Sequence, residues 1–208
     1  MRRLIPVLFL SLALACKAKQ SSTPPQTQAQ TPSASTSTEA PIAATASAVA
    51  PEVSPAGDIP DTQAFVKYRS AAGGYELDVP EGWARTENGP AVTFVNKLDG
   101  VKVTVALSSA SPTAASVRSN EVKQIQTEGR AVTIANVTEV ALPGGKAVLI
   151  KYTSNSETNP VTSKQVRLEN EAYVFFKNGK EATLTLWAPQ GADNVDQWQR
   201  MVKSFRWL

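Results

Sequence analysis

The sequence predicts an α+β domain, a mostly antiparallel β-sheet with helices packed on it, preceded by a disordered tether. Three observations lead there. Two Xaa-Gly dipeptides, Asp99-Gly100 and Asn178-Gly179, each sit between alternating apolar runs, the pattern of β-hairpins. Two segments, 113–128 and 194–203, place apolar residues at helical spacing. Composition also changes abruptly near residue 60, where a stretch poor in aromatic residues gives way to a globular one.

Taken in chain order, residues 1–15 read as a signal peptide. Arg2 and Arg3 supply positive charge, and the apolar stretch Leu4–Leu14 is too short for a bilayer, which needs about 20 residues. It ends Leu12-Ala13-Leu14-Ala15-Cys16, and this resembles the lipobox of bacterial lipoproteins, in which the chain is cut before a cysteine whose thiol carries diacylglycerol. Cleavage by an ordinary signal peptidase after Ala13-Leu14-Ala15 is the alternative. Against it, the chain has 1 cysteine, and it falls directly after the site. Cys16 is therefore the expected lipidation site, with the membrane reached through the N-terminal lipid. Two or three acyl chains, at about 0.8 kcal/mol per buried CH₂, hold where one does not. Lys17 after the lipid site implies, by analogy with lipoprotein sorting, an outer membrane where the cell has one.

Residues 16–60 form the expected lipidated tether. Between 17 and 60, 34 of 44 positions are Ser, Thr, Ala, Pro or Gln. Such a stretch cannot bury enough surface to offset its ordering entropy. As a flexible coil it reaches roughly 35–40 Å.

The globular domain is expected over 61–208. Phe65–Ser70 and Tyr75–Val79 read as strands. Ala91–Leu98 and Val101–Ser108 flank Asp99-Gly100, which sets Leu98 against Val101, Phe94 against Val105 and Val92 against Leu107. Glu171–Lys177 and Lys180–Trp187 flank Asn178-Gly179, with Phe175 against Ala182, Tyr173 against Leu184 and Glu171 against Leu186. Val132–Leu142 and Ala147–Ser154 form a further pair around Pro143-Gly144, and a strand from about Val161 to Leu168 leads into the Asn-Gly hairpin. Thr113–Glu128 is expected as one helix with Gly129 as its C-cap. The last helix, Asn194–Lys203, is expected to take Asp193 as N-cap, with Val195, Trp198, Met201, Val202 and then Phe205 on its apolar stripe.

The run Gly74-Tyr75-Glu76-Leu77-Asp78-Val79-Pro80-Glu81-Gly82-Trp83 resembles the opening of PsbP-like domains, and Trp198–Arg206 resembles their closing helix and Ser-Phe strand. The resemblance covers most of 61–208. It implies an α/β/α sandwich in which helices enclose an antiparallel sheet. The family includes photosystem II extrinsic subunits, bacterial lipoproteins, and relatives that bind a small GTPase or chaperone secreted effectors. The resemblance thus implies a binding or assembly role over catalysis. No binding residue of any member is matched here.

Chemistry is narrowed by what is missing. The chain has 0 histidines, which removes Ser-His-Asp and Cys-His catalysis and the commonest transition-metal ligand. Without Arg2 and Arg3, 19 basic residues face 18 acidic ones, and no basic run tracks a phosphate backbone, so nucleic acid is not an expected partner. Gly144-Gly145-Lys146 lacks the spacing of a phosphate loop and reads as a hairpin turn. Glu76 with Asp78, and Glu169 with Glu171, each share a strand face. Either pair could begin a calcium site, but no Asp-rich loop accompanies them, so both read as solvated faces. Trp83 and Trp198 are expected in the core. Trp187, on the face with Glu181 and Thr183, and Trp207 are left unassigned between core and ligand surface.

No catalytic residue, no metal site and no cofactor are expected, and the cofactor-binding residues are unknown. The expected function is that of a membrane-anchored, extracytoplasmic, non-catalytic protein-binding or assembly module of the cell envelope, with an envelope protein as partner. The alternative is a small-ligand or metal-ion-binding lipoprotein. A pocket of convergent polar groups would favour the alternative, paired buried carboxylates in a cleft would favour an enzyme, and a shallow apolar patch would favour protein binding.

Overall fold

The computed structural model describes residues 47–49 and 57–208. The signal peptide, Cys16 and most of the tether lie outside the described residues.

Ten strands form two antiparallel sheets. The larger has the order β3-β4-β5-β9-β8-β7-β6, and the smaller β1-β2-β10. Their ranges are β1 Phe65–Ser70, β2 Tyr75–Pro80, β3 Ala84–Asn88, β4 Ala91–Asn96, β5 Asp99–Leu107, β6 Arg130–Leu142, β7 Gly145–Asn155, β8 Arg167–Lys177, β9 Lys180–Pro189 and β10 Arg206–Trp207. The helices are α1 Ala114–Ser119, α2 Glu121–Glu128 and α3 Val195–Ser204. No helix among the described residues is long and apolar enough to cross a membrane.

Period-2 alternation sends each large-sheet strand's apolar residues to two faces. On one face, Val92, Phe94, Val101, Val103, Leu149, Phe175, Leu184 and Leu186 meet Tyr75, Leu77 and Val79 of the small sheet and Trp198, Met201, Val202 and Phe205. Phe205 is the keystone, stacked on Phe175 at 4.4 Å and on Tyr75 at 5.8 Å. On the other face, Val137, Val148, Ile150, Ala172 and Val174 are covered by Val117, Val122 and Ile125. The sheet is thus enclosed by helices on both sides, the α+β sandwich that the sequence predicts.

The β8–β9 hairpin follows expectation. Asn178 and Gly179 both take positive φ, 50° and 75°, as a type I′ turn requires, and Phe175↔Ala182, Tyr173↔Leu184 and Glu171↔Leu186 all pair. The β6–β7 pair also forms, turning at Pro143-Gly144.

The first hairpin departs from expectation. It turns at Lys97-Leu98, with Lys97 at φ 54°, and pairs Phe94 with Val101 and Val92 with Val103. The slip is even, so Val92 and Phe94 keep the core face. Gly100 is a strand residue opposite Trp187, and a Cβ there would lie 1.9 Å from the indole ring. Close packing, and not a turn, is what requires the glycine.

Other expectations are also corrected. The segment Val161–Leu168 is not one strand. The Asn159 carboxamide accepts from the N–H groups of Val161 and Thr162, tying up donors a strand would need, and Val161 is 89% exposed. β8 begins at Arg167 and runs unbroken. β3 carries no strand signal in the sequence, because every residue of this strand is exposed and it has no apolar alternation.

The helix expected over Thr113–Glu128 breaks at Asn120 (φ −115°, ψ −77°). On one straight helix Val117 and Val122 would point about 140° apart, and the break lets both face the sheet. Gly129 caps α2 in extended backbone, not in the left-handed region. At α3 the N-cap is Asn194, not Asp193, and Val195 is 62% exposed, off the stripe.

The domain also starts earlier than residue 61. Ile59 is 4% exposed within the main core. Its N–H donates to Asn194 Oδ1 at 2.7 Å, and Asn194 Nδ2 donates to the Gly57 carbonyl at 2.7 Å. The Asp193 N–H donates to Asp58 Oδ1 at 2.9 Å. Asn194 therefore holds the incoming chain and leaves the helix end without a side-chain cap. Further upstream, the Asn155 carboxamide donates to the Ser47 carbonyl at 3.0 Å and accepts from the Val49 N–H at 3.4 Å.

Candidate functional site

On the main-core face, the far ends of β7 and β8 are left uncovered by the small sheet and meet the start of α3. A cleft of about 280 Å³ lies there, lined by Lys151, Glu169, Glu171, Tyr173, Trp198 and Gln199, with Ala192, Asn194 and Val195 completing the wall. The strand periodicity puts Glu169, Glu171 and Tyr173 on one face of β8, and the β7–β8 register sets Lys151 directly opposite Glu171.

Polar groups in the cleft are paired unequally. Glu171 accepts from Lys151 Nζ at 2.6 Å and from the Tyr173 hydroxyl at 2.5 Å, one contact on each carboxylate oxygen. Charge-assisted bonds of this length are the strong ones. Burial, then the hydrogen bond to Glu171 and its charge, push the Tyr173 hydroxyl far above its ordinary range. Glu169 has no ion-pair or hydrogen-bond partner among the described residues. Its cross-strand neighbours are Thr153 and Ala188. Burial and then the Glu171 charge raise its pKa, with Lys151 offsetting part of the effect.

The sequence-derived candidates fall elsewhere or separate. Glu76 and Asp78 lie on the surface and share Lys67, at 3.6 and 3.4 Å. Gly144-Gly145-Lys146 is the end of a hairpin, as expected. Trp83 and Trp198 are buried, also as expected. Trp187 lies on Gly100, and Trp207 packs edge-on against Phe205 at 5.6 Å with its indole N–H buried and unpartnered. Among the described residues no three acidic or cysteine side chains converge as a metal-ligand set. The solvated reading of Glu169 and Glu171 needs correction, because both are recessed in the cleft. Nothing in the sequence marks Lys151, Tyr173 or Gln199 as site residues. Only the β7–β8 register and the docking of α3 bring them together. A wider, open groove of about 410 Å³ runs beside Ser111–Thr113, Glu139 and Lys146.

The whole arrangement, an antiparallel sheet with α3 returning onto it and a closing Ser204-Phe205, superposes on a solved structure of cyanobacterial PsbP (CyanoP) from Synechocystis sp. PCC 6803. The TM-score is 0.53 at 18% identity, over 75% of this chain and 99% of that one. The domain has the PsbP-like fold. The PsbP-like domain is similar at lower scores to the Saccharomyces cerevisiae Ran-binding protein Mog1p (TM-score 0.48, 9% identity, 70% of this chain and 96% of that one). It is similar also to LpqN, involved in cell envelope biogenesis of Mycobacterium tuberculosis (0.41, 13%, 70% and 91%). No protein-family model and no curated protein matches the sequence. At such identity the likeness concerns the PsbP-like fold alone, so residue roles come from the cleft itself.

Proposed function

We propose that this chain is a lipid-anchored protein of the cell envelope whose PsbP-like domain works outside the cytoplasm as a binding or assembly module, without chemistry of its own. The location rests on Cys16, the single cysteine, placed directly after Leu12-Ala13-Leu14-Ala15. The non-catalytic character rests on one observation in the cleft. Glu171 has both carboxylate oxygens committed to Lys151 and Tyr173, so the adjacent carboxylates do not make an acid–base pair. An envelope protein is the proposed partner.

A small-ligand reading stands beside it, because the cleft gathers convergent polar groups against an aromatic wall. Its metal-ion form draws no support from the acidic pairs. Glu76 and Asp78 already share a lysine, and among the described residues no third acidic or cysteine side chain joins Glu169 and Glu171.

Two measurements test the proposal. Intact-mass analysis of the membrane-extracted protein should show an N-terminus at Cys16 with added acyl mass, and Cys16→Ser should release the protein from membranes. An unmodified N-terminus would refute the anchor. Photocrosslinkers placed across the domain surface in cells should give a discrete protein adduct that is lost with Cys16→Ser. No adduct at any position, together with micromolar binding of a small molecule by the purified protein, would transfer the assignment to the second reading.

A further inference from the structure

We propose that the cleft between β8 and α3 is a recognition site for an alkylammonium or guanidinium group, with Glu169 as the anchoring carboxylate. The inference rests on the binding-module reading and specifies what that module grips.

The cleft contains two carboxylates and one ammonium. Lys151 and Tyr173 are both spent on Glu171. Glu169, two residues along the same strand face, is left with Thr153 and Ala188 as cross-strand neighbours, neither of which carries charge. Burial and then the neighbouring Glu171 charge raise its pKa, and Lys151, bonded to Glu171, offsets this only in part. A cation entering the cleft supplies the missing partner.

The remaining lining suits an organic cation better than a bare metal ion. Trp198, 8% exposed, and Tyr173 present aromatic surface, which attracts ammonium and guanidinium groups. Ala192 and the exposed Val195 offer apolar contact for an alkyl stem, and Gln199 adds a polar amide at the wall. An anion would face Glu169 without compensation. The volume of about 280 Å³ accommodates a group the size of a lysine or arginine side chain. Two sources provide this chemistry, a free amine or the side chain of a protein partner.

The test uses the full mature chain in detergent. It is titrated by NMR with n-butylammonium and ethylguanidinium, with n-butanol as the uncharged control. The cations should shift the Trp198 indole and Glu169 resonances saturably, at least tenfold more tightly than butanol. Glu169→Gln should weaken cation binding at least tenfold without lowering the melting temperature. Lys151→Ala, which leaves Glu171 uncompensated, should tighten it severalfold. Equal binding of butanol, or unchanged cation binding in Glu169→Gln, overturns the proposal. A lysine peptide that outcompetes both butylammonium and its own acetylated form identifies a partner side chain as the source. Equally tight free amine identifies a small ligand. Both results support the site. If cation binding is unchanged in Glu169→Gln and crosslinking captures an envelope protein equally well in both, the cation site is refuted while the binding module stands.

Discussion

At the scale of single residues, two neighbours on β5 show how a turn-like dipeptide can be spent elsewhere. Asp99 is buried with Oδ1 unpartnered, and burial, then the charge of Asp58, push its pKa up to about 7 against some relief from Lys97. The folded state therefore holds a proton on Asp99 from about pH 4 to 7 that the unfolded chain releases. Stability from this group is full below pH 4 and is lost as pH rises toward 7. Asp99→Asn should abolish that slope, and at pH 8 should stabilise the protein by about 1–3 kcal/mol in urea melts. An unchanged slope would place the titration elsewhere. Gly100 has no room for a side chain beneath Trp187. Gly100→Ala should cost about 1–3 kcal/mol by overpacking, with a change in tryptophan fluorescence.

At the scale of elements, the hairpins separate what was readable in the sequence from what was not. The β8–β9 register follows from Asn178-Gly179 and alternation, because turn chemistry and core face agree. Phe175→Ala, which empties the stack with Phe205, should cost about 3–5 kcal/mol by chemical denaturation. A near-neutral result would invert the faces of the sheet. In the β4–β5 hairpin the same signal misleads, because Gly100 answers to Trp187 on a strand far along the chain. β3 was unreadable since an exposed edge strand carries no apolar period. The helix break at Asn120 was unreadable because the burial of both Val117 and Val122 is decided by the sheet beneath them. The site shows the same division. Glu169 and Glu171 share a face by simple alternation, whereas Lys151 arrives through a register spanning the 156–166 loop and Trp198 through α3 docking.

At the scale of the molecule, the composition break near residue 60 locates the domain boundary only coarsely, because Ile59 looks like tether and is core, and Gly57 and Asp58 beside it are hydrogen-bonded to the domain. A chain starting at 47, which keeps the bonds of Asn155 to Ser47 and Val49, should melt like the full mature protein. One starting at 61 loses the burial of Ile59 and two hydrogen bonds to Asn194, and should be less stable by about 2–4 kcal/mol. Equal stability of the two would make the segment an ornament of the surface. Coming from the N-terminal side, the chain is held first by Asn155 at the end of β7, through Ser47 and Val49, and then at Gly57 and Ile59 by both ends of the Asn194 carboxamide. Asn194 is also part of the cleft wall. The hold on the incoming chain and the wall of the cleft therefore share one side chain.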